Sequence, residues 1–197
     1  MKARKIFPLL ILFFAVCVGR SYAQKDYVIT KNHDTIYCDI KTNVVSGKIK
    51  YKPNGKDKYT VIDTDNIIEY FTAADTSTFV LKILPGKANQ PACYLNWLEK
   101  GKINLYEQQV VSGSHGETSA FWYAGKDNDS LKLIKVSGIA VGDVGRGDHR
   151  EKIFLNMIAD FQALLDAFEE EAYTFANIEN CIINYNNRFS VYSKKLQ

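Results

Sequence analysis

Hydrophobic and polar residues follow two different periodicities along this chain. From Tyr27 to Val136, short apolar runs, several of them alternating with polar residues, are separated by clusters of Gly, Asn, Asp and Ser. Closely spaced runs of this kind are typical of antiparallel strands joined by turns rather than of βαβ units. The pattern predicts about nine short strands, at 27–30, 35–40, 47–52, 59–63, 67–72, 78–84, 103–111, 119–124 and 131–136.

The third predicted strand alternates strictly. Ile49 and Tyr51 fall on one of its faces and lysines fall on the other, because successive side chains of a strand point to opposite faces. These lysines open the densest basic stripe of the chain, which could meet an anionic partner. We prefer a solvated face or an edge strand guarded by lysine against pairing with another chain. The stripe comprises Lys48, Lys50, Lys52, Lys56 and Lys58.

The periodicity changes after Gly147, beyond which the chain has no Gly or Pro. Apolar residues now recur every three or four positions, first from Phe154 to Phe168 and again from Phe175 to Phe189, which predicts two amphipathic helices. Thr174 is placed to cap the second helix. We therefore expect an α+β fold with a single domain over 24–197, in which two helices from about residue 148 pack on an antiparallel, β-rich domain.

The first 23 residues have the pattern of a secretory signal peptide. Met1–Lys5 is basic, Ile6–Val18 is almost wholly apolar, and Ser21–Ala23 ends in small residues, as a signal peptidase requires. The apolar run is shorter than the roughly 20 residues that cross a bilayer as a helix. Val16 before Cys17 argues against lipoprotein processing. We expect cleavage after residue 23 and export to the periplasm, the outer membrane or the medium.

Cleavage would change the charge of the protein. Residues 1–23 carry four positive charges and no acid, so the net charge of +3 becomes −1 in the mature chain. A nearly neutral chain has no overall attraction to nucleic acid or anionic lipid, and we expect no nucleic-acid partner. Nothing after residue 23 is apolar enough to span a membrane.

Three cysteines remain after cleavage: Cys38, Cys93 and Cys181. An odd number cannot pair completely within one chain, although one disulfide and a free thiol would be compatible with an oxidising compartment. We expect three separate buried thiols that act as small hydrophobic side chains. The sequence contains no Cys-x-x-Cys pair and no Cys/His cluster, so we expect no structural zinc site.

The stretch Val141–Lys152, VGDVGRGDHREK, permits three interpretations. Its glycine spacing is that of a phosphate-binding loop, but Asp148 and His149 stand where that loop requires lysine and a hydroxyl. Its Arg-Gly-Asp tripeptide is short enough to recur by chance. Asp148 followed by Glu151 matches a capping box. We therefore interpret the stretch as the start of a helix and not as a ligand site.

The remaining candidates for chemistry are isolated in the sequence. His33, His115 and His149 have no neighbouring ligands at metal-binding spacing. The segment 112–116 does not have the Gly-x-Ser-x-Gly spacing of a hydrolase nucleophile. A nucleophile and base brought together from distant positions stay an open alternative. We predict no catalytic, cofactor-binding or metal-binding residues and no cofactor.

Aromatic residues are concentrated on two of the later segments. Those that alternate inward must belong to the core, and the others could form a surface on which a sugar or a peptide stacks. The sequence leaves open which residues do which. They are Tyr94, Trp97, Phe121, Trp122 and Tyr123.

The segments 32–40, 98–106 and 178–186 have a pattern found in other sequences. They resemble the corresponding segments of a group of secreted Bacteroidota proteins. In that group the mature chain opens with a Tyr-Ile-Val strand followed by Asn-Gly-Asp-Thr-Ile-x-Gly-x-Ile. The matching residues here are Asn32, His33, Asp34, Thr35, Ile36, Tyr37, Cys38, Asp39 and Ile40. Leu98–Tyr106 resembles the group's central Gly-x-Ile-x-Leu-Tyr segment, and Ile178–Asn186 resembles its final helix. The resemblance implies a secreted protein of uncharacterised function and supplies no catalytic residues.

The chain departs from that pattern at two positions where glycine is usual. His33 replaces the first glycine and is expected to adopt the positive φ that glycine takes freely. Cys38 replaces the second and is expected to serve packing rather than chemistry. Neither substitution suggests a binding site.

These observations favour a non-enzymatic binding or interaction component of the cell envelope, with an envelope protein or a glycan as its partner. Two alternatives stay open. A secreted hydrolase of envelope or dietary polymers would need a deep cleft with converging polar groups. A small-ligand carrier would need a closed barrel around an apolar cavity.

Overall fold

The structure is a computed structural model and describes residues 24–43, 48–86, 91–112, 116–127, 129–137 and 147–195. The predicted signal peptide, His115 and the glycines between Val141 and Arg146 lie outside the described residues. The strands are β1 (Tyr27–Thr30), β2 (Thr35–Asn43), β3 (Lys48–Pro53), β4 (Thr60–Val61), β5 (Ile67–Thr72), β6 (Ser77–Lys82), β7 (Cys93–Glu99), β8 (Ile103–Ser112), β9 (Glu117–Lys126) and β10 (Lys132–Val136). The helices are α1 (Gly147–Ile158), α2 (Gln162–Glu169) and α3 (Phe175–Lys195).

The predicted α+β fold is confirmed, with an antiparallel sheet followed by helices that pack on it. All nine predicted strands are present, and β7 is an additional strand that the sequence pattern did not predict. Leu95 and Trp97 pack on one side of β7, while Tyr94 and Leu98 pack on the other. A strand with apolar contacts on both faces lacks the alternation that identifies a half-buried strand.

The described strands form one sheet in the order β10-β9-β8-β7-β6-β5-β1-β2-β3-β4. Strands β5 to β10 form a continuous meander, and β1 lies between β5 and β2. Every neighbouring pair is antiparallel. Within the described residues the sheet is open, because β10 and β4 are its two ends.

The sheet curls back on itself. The hydroxyl of Tyr94 in β7 donates a hydrogen bond to the carbonyl oxygen of Asp63 (3.2 Å), two residues after β4. Ile49 of β3 lines one cleft together with Gln109 of β8, although in a flat sheet six strand spacings of about 4.8 Å would separate these two strands by roughly 29 Å. Ile62, beside Asp63, packs in one core with Val28 and Tyr70. The β2–β4 segment therefore folds over the face that carries Tyr94.

We call this face the inner face, and the same face carries the helices. One cross-strand row joins its two halves, because each residue of the row lies directly opposite the next. The row consists of Val28, Tyr70, Phe79, Asn96, Glu107 and Trp122. The opposite, outer face carries the row Trp97, Tyr106, Tyr123 and Leu133.

Two hydrophobic cores lie on the inner face. The first core lies under the curl and contains Val28, Cys38, Ile62, Ile67 and Tyr70. The second joins the sheet to the helices. Fully burying one large aliphatic side chain stabilises a fold by about 1.5–3 kcal/mol. The completely buried members of the second core are Ile103, Leu105, Ala124, Ile134, Phe154, Ile158, Ile178, Ile182 and Tyr185.

The prediction of two helices was wrong, because the first predicted helix is divided into α1 and α2. The side-chain amine of Lys126, in β9, donates to the carbonyl oxygen of Met157 (2.9 Å) and lies 2.8 Å from a carboxylate oxygen of Asp160. The last carbonyls of a helix have no partner within it, so this lysine stabilises the end of α1. The hydroxyl of Tyr185 in α3 donates to the same carboxylate at 2.9 Å.

The predicted helix starts are largely confirmed. The Oγ1 atom of Thr174 accepts a hydrogen bond from the backbone N–H of Asn177 (3.2 Å) at the start of α3, as a capping residue should. Asp148 is the second residue of α1 rather than the residue before the helix. Its carboxylate in the first turn still interacts favourably with the helix dipole, but the capping-box assignment was wrong, because Asp148 lies two positions after the residue that precedes the helix.

Candidate functional site

A cleft of about 600 Å³ lies on the inner face between the two cores. It occurs where the cross-strand row changes from apolar to polar, between Phe79 and Trp122. Small-ligand sites typically occupy about 300–1,000 Å³. We call it the inner cleft, and its main lining residues are Ile49, Phe79, Tyr94, Asn96, Glu107 and Gln109.

One wall of the inner cleft is aromatic and held in place by its surroundings. Phe79 stacks on Tyr70 with ring centroids 4.7 Å apart, and Tyr94 meets Tyr70 edge-on at 5.2 Å. The hydroxyl of Tyr94 donates to the carbonyl oxygen of Ile67 at 2.8 Å. Burial raises the pKa of both Tyr70 and Tyr94 above the ordinary tyrosine value, so both phenols stay protonated. The wall is therefore a neutral aromatic surface.

The facing wall is polar. Glu107 accepts hydrogen bonds at both carboxylate oxygens, from the Trp122 indole N–H (3.0 Å) and from the Gln109 amide (2.8 Å). Asn96 of β7 lies directly opposite Glu107 of β8 and lines the same cleft. Within the described part of the chain, no hydrogen bond to the Asn96 amide is present. Its amide can therefore both donate and accept hydrogen bonds toward a ligand.

A second cleft, of about 630 Å³, lies on the outer face. Trp97 and Tyr106 stack there with centroids 5.7 Å apart. The Lys100 amine lies 4.7 Å from the Trp97 centroid, and the Lys82 amine lies 5.2 Å from the Tyr106 centroid. A ligand that stacked on these rings would compete with the protein's own cation–π contacts. The inner cleft is therefore the stronger candidate.

The structure decides the positions of the aromatic residues that the sequence left open. Trp122 and Tyr123 are buried on opposite faces of β9. Phe121 packs with Tyr123 in the outer-face cluster. Tyr94 lines the inner cleft, and Trp97 lines the outer one. The predicted division into core and surface residues is thus real, but only Tyr94 reaches the preferred site.

The lysine stripe lies near one end of the sheet. β3 pairs with β4 only at Lys50 and Tyr51, so most of its outer edge has no strand partner among the described residues. Lys52 forms an ion pair with Asp39 at 3.1 Å. As predicted, Ile49 and Tyr51 face the first core. This arrangement favours the edge-protecting role of the stripe.

The three cysteines are separate thiols, as expected. The expected burial is confirmed for Cys38 and Cys181 but was wrong for Cys93, which is only half-buried. Burial raises the pKa of Cys38 to about 11 and that of Cys181 to about 12, and it also raises the pKa of Cys93. The thiolate is the nucleophilic form of cysteine. These side chains therefore serve packing better than covalent catalysis, which agrees with the interpretation of Cys38.

The two described histidines are exposed and apart. His33 lies in the β1–β2 turn with φ of 65°, which confirms the positive angle expected from the glycine it replaces. His149 lies in the first turn of α1. Among the described residues, no three His, Cys, Asp or Glu side chains come together as a candidate metal site. None of the described helices has the length and apolar character required to span a membrane.

The start of β8 and the helix α3 meet in a structural joint. Asn186 of α3 accepts a hydrogen bond from the Ile103 backbone N–H (2.9 Å) and donates one to the Ile103 carbonyl oxygen (2.8 Å). A Cβ atom on Gly101 would overlap the Asn186 amide. The side chain of Asn186 thus acts as a short strand partner for the start of β8. These residues join helix to sheet and do not line the inner cleft.

The sequence reasoning missed the polar residues of the inner cleft. The available signal was a polar interruption in two apolar segments, at Asn96 within CYLNWL and at Glu107–Gln109 within INLYEQQVV. A buried or half-buried polar side chain on a core-facing position is more informative than an exposed apolar one. The strand pairing that makes Asn96 and Glu107 neighbours could not be read from either segment alone.

Comparison with known proteins leaves the inner cleft as the main guide to function. No family model, curated protein or solved structure matches this chain. A functional assignment therefore depends on the chemistry of the side chains that the fold brings together.

Proposed function

We propose that this protein is an exported, non-enzymatic binding module that holds its ligand in the inner cleft. The proposal rests on one observation. Three polar side chains, Asn96, Glu107 and Gln109, lie on the inner face between two hydrophobic cores. Polar side chains at such positions cost stability unless they are paired or solvated. A binding role explains why they stand beside a fixed aromatic wall.

The surrounding chemistry favours binding over catalysis. Both oxygens of Glu107 accept hydrogen bonds from neighbouring side chains, which fixes the carboxylate as an acceptor. The pair Lys126 and Asp160 is engaged in the junction between β9 and the helices. The thiols are held in their protonated form by burial. The hydrogen bonds of Glu107, the ion pair of Lys126 with Asp160 and the burial of the thiols thus account for these side chains without a catalytic role.

A hydrolase acting on envelope or dietary polymers is the second candidate. It is favoured by the two carboxylates, Asp75 and Glu107, that line the inner cleft. Glycoside hydrolysis commonly uses two carboxyl groups on either side of the scissile bond. The fate of the bound ligand separates the two functions, since a hydrolase would cleave it and would lose that turnover in Glu107→Gln, whereas a binding module leaves the ligand intact.

Export is supported by the basic, apolar and small-residue regions of 1–23. Expression of the full chain in a bacterium with a Sec pathway tests it. We expect the secreted product to have the mass of a chain that begins at Gln24, with or without cyclisation of that glutamine. Recovery of the intact 197-residue chain from the cytoplasm would contradict export.

The two tryptophans of the protein allow the binding role to be tested directly. The Trp122 indole N–H donates to Glu107 in the inner cleft, and the Trp97 indole N–H donates to the Glu99 carbonyl oxygen at the outer face. The test uses the ¹⁵N-labelled chain from Gln24, within which all described strands and helices lie. Fractions of an envelope extract are added while the NMR signals of both indoles are recorded.

We expect one fraction to shift the Trp122 signal and leave the Trp97 signal in place. The ligand should be recovered with its mass unchanged after prolonged incubation. Asn96→Leu should weaken binding and so reduce the shift, whereas Asn104→Leu, the same change on the outer face, should preserve it. Cleaved ligand would support the hydrolase, and a Trp122 signal that no fraction shifts would overturn the proposed site.

A further inference from the structure

We infer that the ligand of the inner cleft is a neutral saccharide, an inference that rests on the binding role proposed for this cleft. One face of a sugar ring would pack on the wall formed by Phe79 and Tyr94. Its hydroxyl groups would form hydrogen bonds with Asn96, Glu107 and Gln109 on the facing wall. The two walls line the same cleft of about 600 Å³.

The charge of the cleft argues against an anionic ligand. Among the described lining residues, Asp75 and Glu107 are acidic and no lysine, arginine or histidine is present. At 4 Å and an effective dielectric constant near 20, two like charges repel by about 4 kcal/mol. Phosphates, sulfates and uronic acids are therefore disfavoured relative to an uncharged ligand.

The polar wall argues against a purely apolar ligand. A lipid chain or a hydrocarbon ring would remove water from Asn96, Glu107 and Gln109 without replacing its hydrogen bonds. An unsatisfied buried polar group costs about 1–3 kcal/mol. A ligand that covers this wall must therefore offer both donors and acceptors.

A neutral sugar meets both requirements. The side-chain amides of Asn96 and Gln109 each provide N–H donors and a carbonyl acceptor, while the Glu107 carboxylate provides acceptors. A sugar hydroxyl can satisfy either kind of group. The C–H face of the sugar ring supplies the apolar surface that an aromatic side chain buries. Each oxygen of Glu107 accepts one hydrogen bond from the protein and can accept another from a sugar hydroxyl.

The inference can be tested with matched oligosaccharides and the same two indole signals. The neutral panel consists of hexasaccharides of glucose, mannose, xylose, galactose and N-acetylglucosamine. Oligogalacturonate and the glucosamine hexamer are the anionic and cationic counterparts of two of its members. The ¹⁵N-labelled chain from Gln24 is titrated with each compound.

We expect at least one neutral member to shift the Trp122 signal to saturation, with the Trp97 signal unchanged. Asn96→Leu and Gln109→Ala should each weaken its binding by about tenfold, which corresponds to about 1.4 kcal/mol. The outer-face control Asn104→Leu should bind as the wild type does. An unchanged Trp97 signal in the two inner-cleft variants, and an unchanged Trp122 signal in Asn104→Leu, show that the fold is intact.

Three outcomes would overturn the inference, and two of them leave the binding role intact. If an envelope fraction shifts Trp122 but no neutral saccharide does, the ligand class is wrong and the binding role stands. The same conclusion follows if a charged counterpart binds as tightly as its neutral match. If neither the fractions nor the saccharides shift Trp122, the binding role of the inner cleft fails as well.

Discussion

At the scale of single residues, Asn186 shows how one side chain connects two elements. Its amide forms two hydrogen bonds to the backbone of Ile103, as a neighbouring strand would. Gly101 permits the close approach of this amide, since a Cβ atom there would overlap it. The start of β8 is thereby held against α3.

Replacing Asn186 with alanine should destabilise the protein by about 2–3 kcal/mol, because the Ile103 N–H and carbonyl would each lose a partner in a partly buried position. The free energy of unfolding in urea measures the effect. Asn184→Ala, at an exposed position of the same helix, is the matched control. Equal stability of the two variants would show that the Asn186 hydrogen bonds contribute nothing.

Other residue-level features could be predicted because they depend on local geometry. The cap at Thr174 follows from its place before an apolar helical stripe, and the positive φ of His33 was expected from the glycine at this position in the proteins that the chain resembles. The role of Asn186 could not be predicted in this way. An asparagine in a helix gives no local sign that its partner lies 83 residues earlier in the chain.

At the scale of elements, the division between α1 and α2 depends on a side chain from the sheet. No glycine or proline marks the end of α1, and the apolar stripe continues into α2. Lys126 supplies the missing signal by binding the Met157 carbonyl and the Asp160 carboxylate. The end of a helix can thus be decided by tertiary contacts that its own sequence does not contain.

The contacts of Asp160 with Lys126 and Tyr185 predict that the stability of the protein depends on pH. Partial burial opposes ionisation of Asp160, but hydrogen bonds from Lys126 and Tyr185 outweigh this and lower the pKa of its carboxyl. A lowered pKa stabilises the fold above the unfolded-state value near 4, and that stabilisation is lost as pH falls through the folded-state value. The contribution is at most about 1 kcal/mol, because the carboxylate side chain is 44% exposed.

Asp160→Asn should therefore lower the melting temperature at pH 6 and have a smaller effect at pH 3, where the wild-type carboxyl is partly protonated. Melting curves of both proteins across this range measure the difference. Repeating the comparison in a Lys126→Met background should reduce the pH-dependent part. A difference that stays constant from pH 6 to pH 3 would contradict the assignment.

At the scale of the whole molecule, the curl of the sheet creates both the cores and the inner cleft. Folding β2–β4 over the inner face covers one part of it, and the three helices cover another. Asn96 and Glu107, the two polar residues of the cross-strand row, lie between the part of the face covered by β2–β4 and the part covered by the helices. The cleft therefore lies where the inner face is covered neither by the β2–β4 segment nor by the helices.

The packing of this fold predicts that its thiols react in a definite order. A disulfide-exchange reagent at pH 8 should modify Cys93 first, because it is half-buried, and should reach Cys38 and Cys181 only when the fold opens. Burial also raises the pKa of both protected thiols, which suppresses the reactive thiolate. Peptide mass spectrometry of the chain from Gln24 over time identifies the modified residue.

The denatured chain should yield three reactive thiols under the same conditions, and a reducing agent should leave the melting temperature unchanged. Rapid modification of Cys38 or Cys181 in the folded protein would contradict their protected positions. If the mass of the protein without reductant were lower by two hydrogens than its mass with reductant, a disulfide would be present and the arrangement of separate thiols would be wrong.

Nine of the strands, the change to helical structure near residue 148 and the α+β class could be predicted from local sequence patterns, because these features depend on residues close together along the chain. The extra strand β7, the break after α1, the curl of the sheet and the position of the inner cleft became evident in the folded structure alone. Each of these depends on contacts between distant residues, such as Tyr94 with Asp63 or Lys126 with Asp160. Local periodicity does not predict such pairings, because each residue fits the pattern of its own strand, helix or turn whichever distant residue it contacts.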